Sequence, residues 1–428
     1  MKLLIGGSPC THWSIAQTKH RETEASGIGW ELCLNYRIAR DKFRPDYFMY
    51  ENNKSMSAAI REQITAELGV EPVLINSALV SAQNRQRLYW AGKRNQDGTY
   101  SQVAVEQPVD RGILLRDILE SGVCWKEKGY ALLSTTGGTA ADDMVSRHQR
   151  NGAAEPVRIG EIESAAAETR FDTSKQYKVY STDGKATALC GNGGGADGAA
   201  TGLYAVPAAV ECNPLHSCDV VVTDQNIRCT YKDGSGTAQG YTVTFDDVKS
   251  PSVIAGHAHK MKVIERVTDK KQRPVYEVRG GRITIKGKTY PIKLADGFYI
   301  IRKLTVTECE RLQTVPDTYA FPVSDTQAYK MLGNGWTVDV IAHIMSHFTG
   351  LTEEPVEVLS MYDGMSCGHI ALDKLGAEIT AYYATEIDKY AVQTTQHNFP
   401  DTVQLGDAFQ VRAEDWHLPE APEKGDKA

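Results

Sequence analysis

A thiol, a carboxylate and a pair of guanidinium groups each stand just past a short apolar run within the first ninety residues of this 428-residue chain. Gly6-Gly7-Ser8-Pro9-Cys10 follows Leu3-Leu4-Ile5. A cysteine on a tight turn at a strand end has the exposure a sulfur nucleophile needs, while a small buried core cysteine is the alternative reading. Glu51-Asn52-Asn53 closes the aromatic run from Tyr47 to Tyr50, which puts a carboxyl group able to hold and protonate a heterocycle nitrogen on the same rim as Cys10. A helix-capping cluster ahead of Ser55 to Leu68 fits those residues equally well. Gln83-Asn84-Arg85-Gln86-Arg87 follows the run Val73 to Val80. In an extended segment Gln83, Arg85 and Arg87 share one side, giving a row of donors for base carbonyls or phosphates, although a surface salt-bridge row has the same pattern.

The far end of the chain repeats this arrangement. Val356 to Tyr362 runs into Asp363-Gly364-Met365-Ser366-Cys367-Gly368, Ile379 to Ala384 leads to Glu386-Ile387, and Val403 to Leu405 leads to Gly406-Asp407. Acidic or glycine-rich ends of this kind are where open α/β sheets bind ligands, outside the carboxyl ends of their strands. Between the two halves, Thr305 followed by Glu308 is a capping box that starts a helix. Gly333-Asn334-Gly335-Trp336 opens another, with apolar Val338, Ile341, Ile344 and Met345, and backbone amides at such a start can receive a carboxylate.

The elements that must position these groups alternate between strand and helix. Helical composition over Gly29 to Ala39 and Ser57 to Leu68 separates the first three apolar runs, the rhythm of a sheet with crossover helices. A strand starting at the second residue has no preceding helix to cover it, so another part of the chain must lie beside it. Residues 356–407 supply what is missing. From about 105 to 300 the character changes to short strands and many glycines, with a glycine-dense loop at Gly191 to Gly198. Val275 to Val278 and Arg282 to Lys286, separated by Gly280-Gly281, read as a β-hairpin. It lies in a stretch, Lys260 to Lys293, that holds eleven cations against three anions, a local basic surface in a chain of net charge −7 and otherwise a solvated strand face.

Length allows two or three domains and a large core. There is no run of about eighteen apolar residues and no signal-peptide pattern, so a cytoplasmic protein with no membrane partner is expected. Nine scattered cysteines make no disulfide framework and fit a reducing compartment. Cys212, His216, Cys218 and Cys229 match no common zinc-finger spacing, and no metal is expected.

Together the motifs resemble the DNA (cytosine-5) methyltransferase family. Gly7-Ser8-Pro9-Cys10 resembles its Pro-Cys motif, Glu51-Asn52 its Glu-Asn motif, and Gln83-x-Arg85-x-Arg87 its Gln-x-Arg-x-Arg motif. The stretch Arg302 to Gln313 is similar to its Arg-x-Leu-Thr-x-x-Glu-x-x-Arg-Leu-Gln signature, and Gly333-Asn334 to its last motif. Tyr362 to Gly368 resembles its first motif. The resemblance implies a doubly wound, Rossmann-like methyltransferase fold with S-adenosyl-L-methionine as cofactor, held by Tyr362, Asp363, Gly364, Met365, Ser366, Cys367, Glu386, Ile387, Asp407, Pro9, Asn334 and Trp336. It implies catalysis by Cys10, Glu51, Arg85 and Arg87 on a cytosine flipped out of double-stranded DNA, with Gln83, Ser14, Arg279, Arg282, Lys286 and Lys288 on the DNA and Thr11 to Trp30 as a closing loop.

In the family's usual order the cofactor motifs precede Pro-Cys; here they follow it, which is the order of a circular permutation. Asp363, Trp336 and Gly6-Gly7-Ser8 are features similar to the animal de novo enzymes. Residues 1–100, 301–350 and 351–428 are expected to form the methyltransferase domain of a monomeric enzyme, bacterial or phage-encoded, with 101–300 as an inserted β-rich target-recognition domain. A tRNA cytosine-5 methyltransferase and a catalytically silent DNA-binding scaffold are the alternatives, and neither the target sequence nor a role in restriction, phage protection or regulation is readable here.

Overall fold

The computed structural model describes residues 1–9, 13, 22–146, 150–156 and 274–420, together with the backbone of short strands between 160 and 264. The main sheet has eight strands: β1 (Lys2–Gly6), β2 (Tyr47–Asn53), β3 (Pro72–Asn76), β4 (Gln86–Arg94), β5 (Tyr100–Gln102), β6 (Val356–Met361), β7 (Ile379–Thr385) and β8 (Val403–Gly406). Their spatial order is β8-β7-β6-β1-β2-β4-β3, with β5 paired to β4. Neighbours from β8 to β2 are parallel, whereas β4 is antiparallel to both β2 and β3.

β1 lies at the centre. Leu3 pairs with Tyr47 on one side and with Val358 on the other, so the partner that the opening strand lacks is supplied from more than three hundred residues away. Leu3, Leu4 and Ile5 are fully buried, as in a parallel strand covered on both faces. Leu3 and Ile5 face a core shared with the helices Val306–Leu312, Val338–Met345 and Cys367–Leu375, and Leu4 faces a second core shared with Gly27–Phe43 and Ala58–Leu68. The terminal ammonium of Met1 donates to the Pro355 carbonyl at 2.8 Å, extending the same junction.

Two local expectations shift. The apolar run Val73 to Val80 is a strand only to Asn76, then a 3-10 turn over Ser77–Leu79. Asn76 Oδ1 accepts from the amides of Ala78 and Arg85, a side-chain-to-backbone pairing that replaces the ladder. The loop expected to reach Trp30 ends by Ser26, because the helix starts at Gly27.

A second sheet orders Lys288–Pro291, Arg282–Ile285, Tyr276–Arg279, Gly297–Arg302 and Ala153–Pro156 around its own core of Trp125, Val278, Ile283, Ile285 and Tyr299. The expected hairpin is present. Gly280 and Gly281 take φ of 56° and 68°, the paired left-handed turn that suits the twist of two antiparallel strands. Leu115, Ile118 and Leu132, by contrast, pack into the main core beside Ile75, Val80 and Tyr89. The glycine-dense loop and Lys260, Arg266, Lys270, Lys271 and Arg273 of the basic stretch lie outside the described residues.

Candidate active site

The carboxyl ends of β1, β2 and β6 open onto one rim. At Gly6 a Cβ would lie 2.7 Å from the Met361 carbonyl oxygen. At Gly7 it would lie 2.8 Å from the Glu51 carbonyl oxygen and 3.0 Å from Glu51 Oε2, so only glycine lets the turn come this close to that carboxylate. The turn is then fixed by Ser8, whose Oγ sits 2.6 Å from the Tyr50 hydroxyl and whose carbonyl accepts from Asn52 Nδ2 at 3.1 Å. Pro9 follows, exposed; Cys10 and Ser14 lie outside the described residues.

Glu51 is buried, with a separate donor on each oxygen. Arg87 Nε stands 3.1 Å from Oε1, and Trp336 Nε1 donates to Oε2 at 2.9 Å. Sequence separation hid the second contact, since the partners are 285 positions apart. Trp336 was expected at the cofactor; the structure places its indole N–H on the carboxylate.

The row Gln83, Arg85, Arg87 does point to one side, but that side faces inward. The Arg85 guanidinium donates to the carbonyls of Leu132 and Gly333 at 3.3 Å and of Gly335 at 2.8 Å. It thereby pins the Gly333–Gly335 turn that presents Trp336. Gln83 is fully buried; its Nε2 donates to the Leu312 carbonyl at 2.6 Å and Gln313 Oε1 at 2.8 Å, and its Oε1 accepts from the Leu132 amide. A DNA contact at Gln83 is therefore corrected: its hydrogen-bonding groups are spent inside the protein.

Beside this, the loop after β6 is held in an uncommon backbone. Tyr362, Gly364 and Ser366 all have left-handed φ (62°, 60° and 58°), a conformation that non-glycine residues keep only where the surroundings enforce it. Asp363 is what enforces it. Its buried carboxylate accepts from Ser360 Oγ at 2.6 Å, Tyr382 OH at 2.8 Å and Ser366 Oγ. Burial pushes its pKa up to about 6 in spite of those donors. Glu386 Oε2 accepts from the Gly364 amide at 2.9 Å, and Oε1 from Ile387 and Asp388 at 2.7 Å each. Ile387 is 76% exposed, a large apolar side chain left facing solvent. Asp407 accepts from the Phe409 amide and caps the turn Ala408–Arg412.

Met365 and Cys367 are buried, and a Cβ on Gly335 would meet Cys367 Sγ at 3.2 Å and Met365 Sδ at 3.5 Å, so the Trp336 turn and the β6 loop are in contact. Asn334 is exposed at that turn. Burial raises the thiols of Cys33 and Cys367 to about 12, and that of Cys309 further, so these remain protonated. On the second sheet Arg279, Arg282, Lys286 and Lys288 are exposed, with Lys286 paired to Asp142 at 3.0 Å. Among the described residues no helix is long and apolar enough to cross a membrane. Of the Cys/His group in the middle region, Cys212 and His216 lie outside the described residues.

The family model for C-5 cytosine-specific DNA methylases matches residues 1–349. Type II methyltransferase M.HpaII of Haemophilus parainfluenzae is 30% identical over 112 residues, 26% of this chain and 27% of that protein. The DNA (cytosine-5)-methyltransferase DRM2 of Oryza sativa subsp. japonica is 27% identical over 111 residues, 26% of this chain and 18% of its own. Type II methyltransferase M.HhaI of Haemophilus parahaemolyticus is 35% identical over 74 residues, 16% of this chain and 23% of its own. The matched part of the chain thus spans 27% or less of the length of each of these relatives.

Proposed function

This chain belongs to the family of C-5 cytosine-specific DNA methylases, and on that premise we propose that it methylates C5 of a cytosine flipped out of double-stranded DNA, within a specific sequence. The observation that carries the reading is Glu51, gripped by Arg87 and Trp336 against the glycine turn that runs into Pro9-Cys10. Cytosine C5 is too weak a nucleophile to react unaided. Addition of the Cys10 thiolate to C6 makes C5 enamine-like, and Glu51, hydrogen-bonded to N3 and the exocyclic amine, neutralises the charge that builds on the ring. Removal of the C5 proton then expels Cys10. Arg87 fixes Glu51, and Arg85 acts one step further back, as the clamp on the Trp336 turn.

The donor set around the β6 loop fits S-adenosylmethionine. Glu386 has Oε1 fixed by two backbone N–H groups and Oε2 by one, which leaves Oε2 a lone pair for a ribose hydroxyl, Ile387 offers an apolar face, and Asp407 stands at the end of β8 for the adenine amine. When bound, the cofactor supplies an electrophilic methyl group. The cofactor strands β6 to β8 follow the Pro-Cys strand in the chain yet lie directly beside it, which supports a circularly permuted arrangement of the family's motifs. We assign 1–100, 301–350 and 351–428 to the methyltransferase domain and 101–300 to target recognition, with Arg279, Arg282 and Lys288 of the hairpins on phosphates. Those contacts offset the few kcal/mol that flipping a base costs.

Duplex DNA carrying 5-fluorocytosine tests this directly, because a fluorine at C5 blocks the final elimination. A covalent protein–DNA adduct that disappears in Cys10→Ser is expected. Failure to form an adduct in any sequence context rejects the reaction in favour of a silent DNA-binding scaffold, and labelled methyl transfer to tRNA but not to duplex DNA rejects the substrate.

A further inference from the structure

Two of the three cofactor loops are tied to one turn of the helix Gly27–Phe43. Arg412, on the turn that Asp407 caps, places Nε 2.5 Å from Asn35 Oδ1 and Nη2 2.6 Å from Glu31 Oε2 and 3.1 Å from the Glu31 carbonyl. Tyr362, in its left-handed backbone at the head of the β6 loop, donates its hydroxyl to the Leu32 carbonyl at 2.7 Å. Lys42 Nζ, farther along the same helix, donates to the Ala413 carbonyl at 2.6 Å. Asn35 is fully buried and Arg412 is half-exposed, so the pairing spends a buried amide oxygen on a cation from the other half of the chain.

The turn Ala408–Arg412 buries Ala408 and Val411 in the second core, and the Arg412 guanidinium satisfies the buried Asn35 oxygen beside it. What the charged tie adds is direction. The helix it grips begins at Gly27, seventeen positions after Cys10 in the sequence, and its first turn is in turn bonded to Glu22, which accepts from the Gly29 amide and from the indole of buried Trp13. Farther along, the Tyr36 hydroxyl donates to the Leu4 and Met49 carbonyls at 3.4 and 2.9 Å, so one helix connects the adenine-end turn to the strand β1 that leads into Gly6–Pro9.

We propose that Arg412, seconded by Tyr362, is a positioning residue: it sets the helix Gly27–Phe43, and with it strand β1 and the Gly6–Pro9 turn, against the cofactor loops. This rests on the methyltransferase reading above. A residue that only holds the fold would lower stability, and one that only binds cofactor would weaken its affinity. Arg412 should do neither first; it should slow the chemical step, because small misplacements of reacting groups are costly in rate.

The test uses the full chain with labelled S-adenosylmethionine and unmethylated plasmid DNA, comparing single-turnover rate, cofactor Kd and melting temperature for the parent and three variants. In Arg412→Gln the single-turnover rate is expected to fall at least about tenfold while cofactor Kd changes less than about threefold. Arg412→Lys keeps the charge facing Glu31 and recovers part of the rate. Tyr362→Phe, which cuts the second tie without altering charge, lowers the rate in the same sense. A parental rate in Arg412→Gln, or a loss accounted for wholly by weaker cofactor binding or by unfolded protein, overturns the inference. A parent that transfers no methyl group to any DNA defeats the underlying reading instead, so the two failures are distinct.

Discussion

Replacing Asp363 by asparagine isolates one buried charge whose energetic signature can be worked out in advance. The carboxylate is enclosed, and burial raises its pKa from 3.8 to about 6 in spite of hydrogen bonds from Ser360, Ser366 and Tyr382. A group whose folded pKa is raised contributes stability that is fully present below its unfolded pKa and is lost as pH rises through its folded pKa. The window here is therefore pH 3.8 to about 6. At 1.36 kcal/mol per pH unit, the contribution given up across it is about 3 kcal/mol.

Asparagine carries no such burden. All three partners of Asp363 are hydroxyls that rotate to donate or accept, and Ser366 Oγ has a second partner 3.1 Å away in Thr395 Oγ1, so an amide NH2 can be accommodated. Losing charge-assisted bonds adds a constant offset, but the pH-dependent part is free of it. His369 complicates the raw curve. Stacked between Phe399 and Tyr382, it is held down to about 4 by burial, so it contributes stability that is present above pH 6.5 and lost as pH falls toward 4, opposite in sign to Asp363. The parent is consequently expected to show little net dependence from these two groups in that window. The difference between Asp363→Asn and parent removes the histidine and leaves Asp363 alone. Urea denaturation followed by tryptophan fluorescence at pH 4.5, 5.5, 6.5 and 7.5 should show the variant gaining on the parent by about 2 kcal/mol over the series, the first third of the loss having occurred below pH 4.5. Parallel stability curves for the two proteins would refute the reasoning.

Glu51→Gln keeps an oxygen for Trp336 or Arg87 but has no proton to give to a ring nitrogen; methyl transfer should fall at least about a hundredfold with the far-UV circular dichroism spectrum unchanged, and near-parental transfer would remove Glu51 from the reaction. Gly333→Ala would put a Cβ 2.3 Å from the Ser134 nitrogen and 2.4 Å from the Leu133 carbonyl carbon, both backbone, and should cost about 3 kcal/mol or more, a fall in Tm of roughly 6–12 °C in differential scanning calorimetry. Burial raises Glu310 to about 7, with Asp317 and Glu120 adding to the shift, so its contribution to stability is present below pH 4.5 and lost as pH rises through 7. Glu310→Gln should therefore gain on the parent between pH 5 and pH 8 in a thermal melt, and an unchanged difference would show that the carboxyl is solvated.

Much of the main sheet was legible because its cues are local. The Leu3-Leu4-Ile5 run, the Thr305/Glu308 capping box and the Gly280-Gly281 hairpin each depend on neighbouring residues, and each stands where the sequence places it. The need for something beside the first strand was legible as well, since a strand starting at the second residue has no preceding helix to cover its apolar Leu3-Leu4-Ile5 run. What was not legible was which polar groups face which way. Trp336 on Glu51, Arg412 on Asn35 and Tyr362 on Leu32 join residues 285, 377 and 330 positions apart, and no periodicity encodes such contacts.

Gln83 shows why motif chemistry misleads in a particular direction. A glutamine and two arginines in alternation look like a surface that reads a ligand, because polar residues are read as solvent-facing. Here the alternation is real but its polar side is internal. Gln83 and Arg85 replace water for the carbonyls of Leu132, Leu312, Gly333 and Gly335, where three separate stretches of chain end without a ladder partner. Buried carbonyls must be paired, and a planar five-donor guanidinium holds several at once in a fixed fork. Only Arg87, at the outer end of the row, is left to reach the Glu51 carboxylate. The three residues thus divide by depth, Gln83 pairing Leu312 and Leu132, Arg85 holding the turn that carries Trp336, and Arg87 gripping Glu51 on its other oxygen, so that one arm of the clamp on that carboxylate comes from this short segment and the other is held in place by it.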